Sequence, residues 1–418
     1  MRVRSVNDAG SNVARGTDRG APSADGRSLP TVLLGGGIVA ISVARCLGTN
    51  GVRVWALGDA RTDLVRHSRY CTAFVDLGGG EGVQDRWLEW LRAGEIGEAV
   101  VLPCSDDALE LVARERATLQ TLGYRPIESN DDVILAMLDK LKTYALAREA
   151  AVDVPRHFAL DGVDHLDTAL AEAGVGFPCA LKPLHSHLFA RHYGSNRKVL
   201  IAHDRAQLAQ ACTEIAAHNL SMMVTEIVPG PEDAYHSLHG YLDEHGELLA
   251  GLTKRKLRQS PVGFGIGCYH VTGWNAEVAE TALRFCRGAG IVGMANPEFK
   301  RDARDGRLKL IECNHRFTMS NELNRRAGVN LPLVAYDRLL GLPVQAGGGF
   351  REGLHMWSPV EDTKAFLEAR RRGQMTTRRW LASLCHRQVL SLYDRHDSGL
   401  ALASIRQRLR RLRRRSSA

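Results

Sequence analysis

Lysine is scarce in this 418-residue chain: nine lysines stand against 46 arginines. An ordinary surface cation is therefore an arginine, and a lysine at the end of a predicted strand carries more information than usual. No stretch of about 18 apolar residues occurs, which excludes a transmembrane helix. The nine cysteines lie at 46, 71, 104, 179, 212, 268, 286, 313 and 385, and none forms a C-x-x-C pair. Their odd number and wide spacing exclude a disulfide framework and argue against structural zinc; they read as reduced thiols of a cytoplasmic protein. Residues 1–28 have no apolar core, so they read as a disordered leader and not as a secretory signal.

What is present is globular. Hydrophobic residues at 44% and charged residues at 24% exclude a wholly disordered chain. The net charge is +8, yet the last thirteen residues carry seven arginines and no acid, and the remainder is nearly neutral. No chain-wide basic surface follows, and no nucleic-acid partner is expected. Ile405, Leu409 and Leu412 form a narrow apolar stripe in this basic end. It suits weak contact with an anionic membrane or an acidic partner, which would make the protein membrane-peripheral, and it equally suits a solvated terminus.

The pattern along the chain predicts an α/β (α+β) fold. The apolar run 31–34 stops at Gly35-Gly36-Gly37, a helix is expected over 38–47, and a second strand over 52–57 ends at Gly58-Asp59. This is a β–turn–α–β unit, the start of a parallel sheet. A third strand over 99–102 leads into Ser105-Asp106-Asp107, which suits a helix cap, and a helix over 106–119. A helix over 133–147 carries Lys140 and Lys142. Further strands are expected over 177–183, 222–230, 235–242, 248–257, 294–299 and 308–313, then a helix over 331–340. The division expected is a leader (1–28), a Rossmann-like domain (29–130), a larger domain (131–345) and, past the Gly347-Gly348-Gly349 linker, a helical extension (346–418).

Two acidic residues carry the sharpest chemistry. Glu298 and Glu312 each interrupt an apolar strand, and a turn near 302–306 brings them together across a hairpin. Two adjacent carboxylates repel unless a cation lies between them, and Mg²⁺ (or Mn²⁺) suits such oxygen ligands. Asn314 and Arg316 follow Glu312 at two-residue intervals, so they face the same side. The amide adds an oxygen, and the guanidinium suits a phosphate. Lys182, at the end of its strand, suits a phosphate as well; its competing reading is a solvated strand end.

From residue 133 to about 343 the chain resembles the ATP-grasp superfamily. The carrying segments, in order, are Asp139-Lys140, Ala180-Leu-Lys182-Pro183, Val224-Thr-Glu226-Ile-Val-Pro-Gly230, Asn296-Pro-Glu298-Phe299, Ile311-Glu-Cys-Asn314-His-Arg316 and the stretch 327–336. Each is weak alone; together, in sequence, they are specific. The resemblance implies a pre-ATP-grasp domain followed by a two-subdomain nucleotide-binding fold. It implies that Lys140 and Lys182 contact ATP phosphates, that Thr225, Glu226 and Val228 lie on the adenine hinge, and that Glu232 holds ribose. It implies that Glu298, Glu312 and Asn314 are magnesium ligands and that Arg316 stabilises the reacting group.

The segment 253–267 resembles carboxylate–amine ligases related to D-aspartate ligase, with Arg255 and Arg258 expected to fork onto a substrate carboxylate. Asn321 and Glu322 are expected near the same pocket. The activity implied is ATP-dependent joining of a small carboxylate to an amine, with amino-acid-like substrates and a homodimer. The flap 185–198 departs from the family: it has one glycine, Gly194, and offers Arg191, Arg197 and Lys198 in place of a glycine-rich loop. Its histidines 185, 187 and 192 have no fourth ligand nearby and are not expected to bind zinc. Two other readings stand beside the ligase. Gly35-Gly36-Gly37 with Asp59 fits a dinucleotide fingerprint, hence an NAD(P)-dependent oxidoreductase. The basic end suggests a membrane-peripheral adaptor that binds ATP without catalysis.

Overall fold

Strand β1 (Thr31–Leu34) is buried at every position, as a continuous apolar run inside a parallel sheet should be. The computed structural model describes residues 26–160, 165–185, 189, 199–218, 220–344 and 349–416. After β1 come α1 (Gly37–Gly48), β2 (Val54–Gly58), β3 (Ala73–Asp76), α2 (Val83–Arg92), β4 (Val100–Pro103), α3 (Asp106–Thr121) and β5 (Arg125–Pro126). The five strands pair in parallel in the order β3-β2-β1-β4-β5. This is the Rossmann-like sheet the sequence predicts. Its C-terminal strand ends carry the Gly35 turn and the Ser105 loop. Ser105 caps α3, its Oγ accepting from the Ala108 amide at 3.2 Å.

The helix predicted over 133–147 is two helices, α4 (Asp131–Met137) and α5 (Lys140–Glu149). The break comes from Asp139, whose carboxylate caps the second helix by accepting from the Leu141 and Lys142 amides. Lys140 therefore stands at a helix N-terminus. The chain continues through β6 (His157–Ala159), α6 (Leu166–Ala173), β7 (Cys179–Pro183), β8 (Leu200–Ala202), α7 (Arg205–Ala216) and β9 (Met222–Glu226). These strands form an antiparallel sheet, β6-β9-β7-β8, with a core of its own around Leu170, Leu208 and Ile215.

The third sheet is built from β10 (Tyr235–Leu242), β11 (Leu248–Ser260) and β12 (Ile266–Thr272), then, after α8 (Ala276–Gly288), from β13 (Gly293–Arg301) and β14 (Leu308–Asn314). Helix α8 and α5 cover one face through Phe285, Ala147 and Phe299. Helices α9 (Asn321–Ala327) and α10 (Leu331–Leu339) join the other face to the core of the first sheet.

The stretch past residue 349 is not wholly helical. It holds β15 (His355–Trp357), α11 (Pro359–Arg371), α12 (Thr377–Ser383), β16 (Gln388–Leu390) and α13 (Ser398–Ser416). β15 and β16 extend the third sheet to seven strands, β14-β13-β10-β11-β12-β15-β16. Three-residue strands are too short to show alternation in sequence. A buried ion pair also ties this stretch to α1: Arg45 Nε donates to Asp397 at 3.0 Å, and both side chains are fully buried. Among the described residues no helix is long and apolar enough to cross a membrane.

Candidate active site

The centre of the site is the β13–β14 hairpin. Glu298 lies directly opposite Glu312, and Asn296 opposite Asn314. Two-residue alternation puts all four on one face. The register then slips between Glu298 and Phe299, which makes Ile311 an unpaired bulge residue. Glu298 accepts from Lys256 Nζ at 2.8 Å, and Glu312 accepts from the Asn314 amide at 3.2 Å. The Asn296 side-chain oxygen Oδ1 is buried with no partner.

The donor set is thus oxygen-only, two facing carboxylates and two amide oxygens, and a lysine ammonium beside it already neutralises one carboxylate. That chemistry fits a hard divalent cation such as Mg²⁺ or Mn²⁺. Among the described residues no group of three His, Cys, Asp or Glu side chains is placed to hold a metal; beside the two carboxylates the further oxygens are those of the two amides.

Lysines crowd this hairpin. Burial, and then the neighbouring Lys140, lower the Lys182 ammonium to about 8, while Glu312 and Glu298 oppose the fall. Lys140 lines a small cavity with Asp106, Glu312 and Asn314. Lys256 sits over the Tyr235 ring at 4.2 Å, and Lys300, which donates to the Val228 carbonyl at 2.8 Å, flanks the same ring. Lys254 is buried; its Nζ donates to Ser320 Oγ at 2.7 Å and lies 3.4 Å from His270 Nδ1. Burial brings its ammonium down to about 7, against the pull of Glu298 and Glu312.

Lys254 and Lys256 were not singled out from sequence, although the signal was there. They are two of nine lysines, spaced to share one strand face, and the commoner arginines beside them mask that signal.

Arg316 does not stand free over a phosphate. Its Nε pairs with Asp106, in the first turn of α3, which orients it. Thr225 Oγ1 turns back to the Arg156 carbonyl at 3.2 Å. The Glu226 carboxylate is buried and taken up by Arg156, Arg304 and Lys309. Burial alone would raise it, but these cations and the Arg156 amide hold it down to about 2. The Glu226 side chain is thus engaged within the protein, which leaves its main-chain groups for the adenine hinge expected of this strand. The Glu232 carboxylate accepts from the Gly263 amide at 2.6 Å and from Gln259 Nε2 at 3.1 Å, which ties it to the β11–β12 loop.

Arg258 is the clearest correction. Its guanidinium donates to Asp362 from Nε at 2.6 Å and from Nη2 at 3.1 Å, and lies over Tyr269. The cause is a bulge: β11 slips by one residue at Leu257, so Lys256 pairs with His270 and Arg258 with the next residue, Tyr269. That slip turns Arg258 to the opposite face from Lys256. Arg255 stays half-exposed, 3.9 Å from Asp233. Asn321 and Glu322 are buried against α1 and its surroundings, where Asn321 donates to Ser42 and Glu322 accepts from Arg325; they are packing residues. The flap residues 186–188 and 190–198 lie outside the described residues, as do Gly347 and Gly348 of the linker and residues 1–25 of the leader.

The Gly35 turn is already filled. The Asp63 carboxylate accepts from the Gly37 amide at 2.8 Å and from the Asp59 amide at 2.8 Å. A Cβ on Gly36 would fall 1.9 Å from that carboxyl carbon. An acid therefore occupies the helix N-terminus where a dinucleotide's pyrophosphate would bind.

Comparison with solved structures decides the architecture. The chain superposes on biotin carboxylase from Campylobacter jejuni with a TM-score of 0.61 at 15% identity, covering 78% of this chain and 74% of that one. It superposes on an L-amino acid ligase from Bacillus licheniformis with a TM-score of 0.56 at 14% identity, covering 75% and 74%.

The chain has the ATP-grasp fold.

Among curated proteins, this ATP-grasp chain is 25% identical to a D-aspartate ligase from Enterococcus faecium over 290 residues, 66% of this chain and 67% of that one. It is 25% identical to a D-alanine–D-alanine ligase from Stutzerimonas stutzeri over 190 residues, spanning 42% of this chain and about half, 54%, of the relative. No family model matches it.

Proposed function

We propose that this protein is a cytoplasmic ATP-dependent ligase that joins a small carboxylate to an amine, releasing ADP and phosphate. The observation that carries this reading is the direct opposition of Glu298 and Glu312 among Lys140, Lys182, Lys254 and Lys256. The likeness to D-aspartate ligase supports the reaction class. Nine free thiols support a reducing compartment.

The chemical problem is charge. An anionic carboxylate must approach a triphosphate. Lys140 and Lys182 draw in the phosphates, and Arg316, oriented by Asp106, stabilises the equatorial oxygens during transfer. A divalent cation held by Glu298, Glu312 and Asn314 would neutralise charge on the phosphates and on the departing ADP. The substrate carboxylate oxygen bonds to the γ-phosphorus as the bond to the ADP oxygen breaks. The amine nitrogen then bonds to the acyl carbon, and phosphate leaves. Lys254 Nζ, with its ammonium near 7, is suited to take the proton the amine loses. The main chain around Glu226 and Val228 borders the adenine, and Glu232 the ribose once it releases Gly263.

The test is ADP formation by Glu312→Gln and Arg316→Ala in a pooled screen of amino acids and carboxylates, with mass spectrometry of the product. Each variant should keep its circular dichroism and lose on the order of 10²–10³ in rate. Turnover like that of the unchanged protein in both would refute the assignment. ATP binding without substrate-stimulated ADP release would favour an adaptor.

A further inference from the structure

A second cavity, of about 480 Å³, opens between the Gly35 turn, the β11–β12 loop and the C-terminal extension. Its size falls in the range of small-molecule sites, about 300–1,000 Å³. Ile38, Ile266, Met319, Trp357, Leu392 and Tyr393 line it, none of them fully buried. It adjoins the chemistry on two sides. Gly267 in its wall packs against Lys256, the partner of Glu298, such that a Cβ there would lie 3.4 Å from Lys256 Cγ. Met319 in its wall precedes Ser320, which accepts from Lys254.

The charged wall comes from α11. Glu361, Lys364 and Glu368 line the cavity on one helix face, and Glu368 is already taken up by the Val262 amide at 3.0 Å and by Arg372. Lys364 is exposed at the rim, on a helix whose other cations are all arginines. Of the nine lysines, Lys364 is the one that lines this second cavity.

We propose that this cavity receives the amine substrate, and that the substrate is an α-amino acid with a bulky apolar side chain. This rests on the ligase reading above. The apolar lining takes the side chain, and Lys364 holds the α-carboxylate at the rim. The amino group is left facing the hairpin. Glu361 repels a second carboxylate, so acidic amino acids are rejected. The C-terminal extension is then the element that selects the amine.

The test is isothermal titration of the full chain with both enantiomers of leucine and of phenylalanine, with leucinamide and aspartate as controls and Mg-ATP titrated separately. At least one apolar amino acid should bind, with leucinamide and aspartate about tenfold weaker or worse. Lys364→Ala should weaken the amino acid by a similar factor and leave the amide unchanged. Glu361→Gln should narrow the gap to aspartate. Both positions are exposed on α11, so neither change threatens the fold. Equal affinity for amide and amino acid, or indifference to Lys364→Ala, overturns the proposal. Binding of Mg-ATP without any of the amino acids overturns this proposal alone. Failure of Mg-ATP to bind overturns the ligase reading and this proposal with it.

Discussion

Asp362 is fully buried and receives Arg258 through two nitrogens, the Trp357 indole at 3.0 Å and the Trp380 indole at 2.9 Å. Asp362→Ala would strand a buried guanidinium and two indole N–H groups. Removing one partner of a buried pair costs about 3–5 kcal/mol, and each unsatisfied indole adds on the order of 1 kcal/mol. Arg258→Met combined with Asp362→Asn removes both charges and keeps an oxygen for the indoles, so most of that loss should return. Urea unfolding followed by tryptophan emission measures it, because Trp357 and Trp380 report on Asp362 itself. ADP release per folded molecule is measured alongside. If Arg258 anchors the extension, the double variant turns over within a few-fold of the unchanged protein. A stable, folded double variant that has lost on the order of 10² in rate would show that Arg258 acts on substrate, and would refute the argument from the bulge.

Three further outcomes follow from the same geometry. In the free protein Lys182 is charged below about 8, so kcat/KM for ATP should fall as pH rises through that value, and Lys182→Arg should move the falling limb upward. Glu226, held near 2 against an unfolded value near 4.5, contributes stability that is fully present above about 4.5 and lost as pH falls toward 2. Urea unfolding of Glu226→Gln should therefore show its deficit at neutral pH and converge with the unchanged protein in acid. In a thermal-shift assay Mg-ATP should raise the melting temperature and NAD(P)H should not, because Asp63 already occupies the Gly37 amide.

The parts of this molecule set by local chemistry were legible in its sequence. The β–turn–α–β start, the strand Tyr235–Leu242 and the pairing of Glu298 with Glu312 all follow from apolar runs, alternation and a turn. The parts set by distant partners were not. Glu226 reads as a hinge acid until Arg156, Arg304 and Lys309 meet it from 70 to 83 residues away. Arg258 reads as a substrate fork because one extra residue at Leu257 reverses its face and leaves no mark on composition. Arg316 gains its orientation from Asp106, 210 residues earlier. The break at Asp139 is a readable cap that lies inside a longer helical pattern.

The clustering of lysine has a practical side. Reagents that acylate or alkylate primary amines would meet few lysines on this protein, and several of those, Lys182, Lys254 and Lys256 among them, cluster around the Glu298–Glu312 hairpin. Coupling to a resin or a dye through amines would thus disable the molecule it was meant to display. Cys385 is the exposed one among nine free thiols. Maleimide chemistry at that position offers a handle that leaves the nucleotide side untouched.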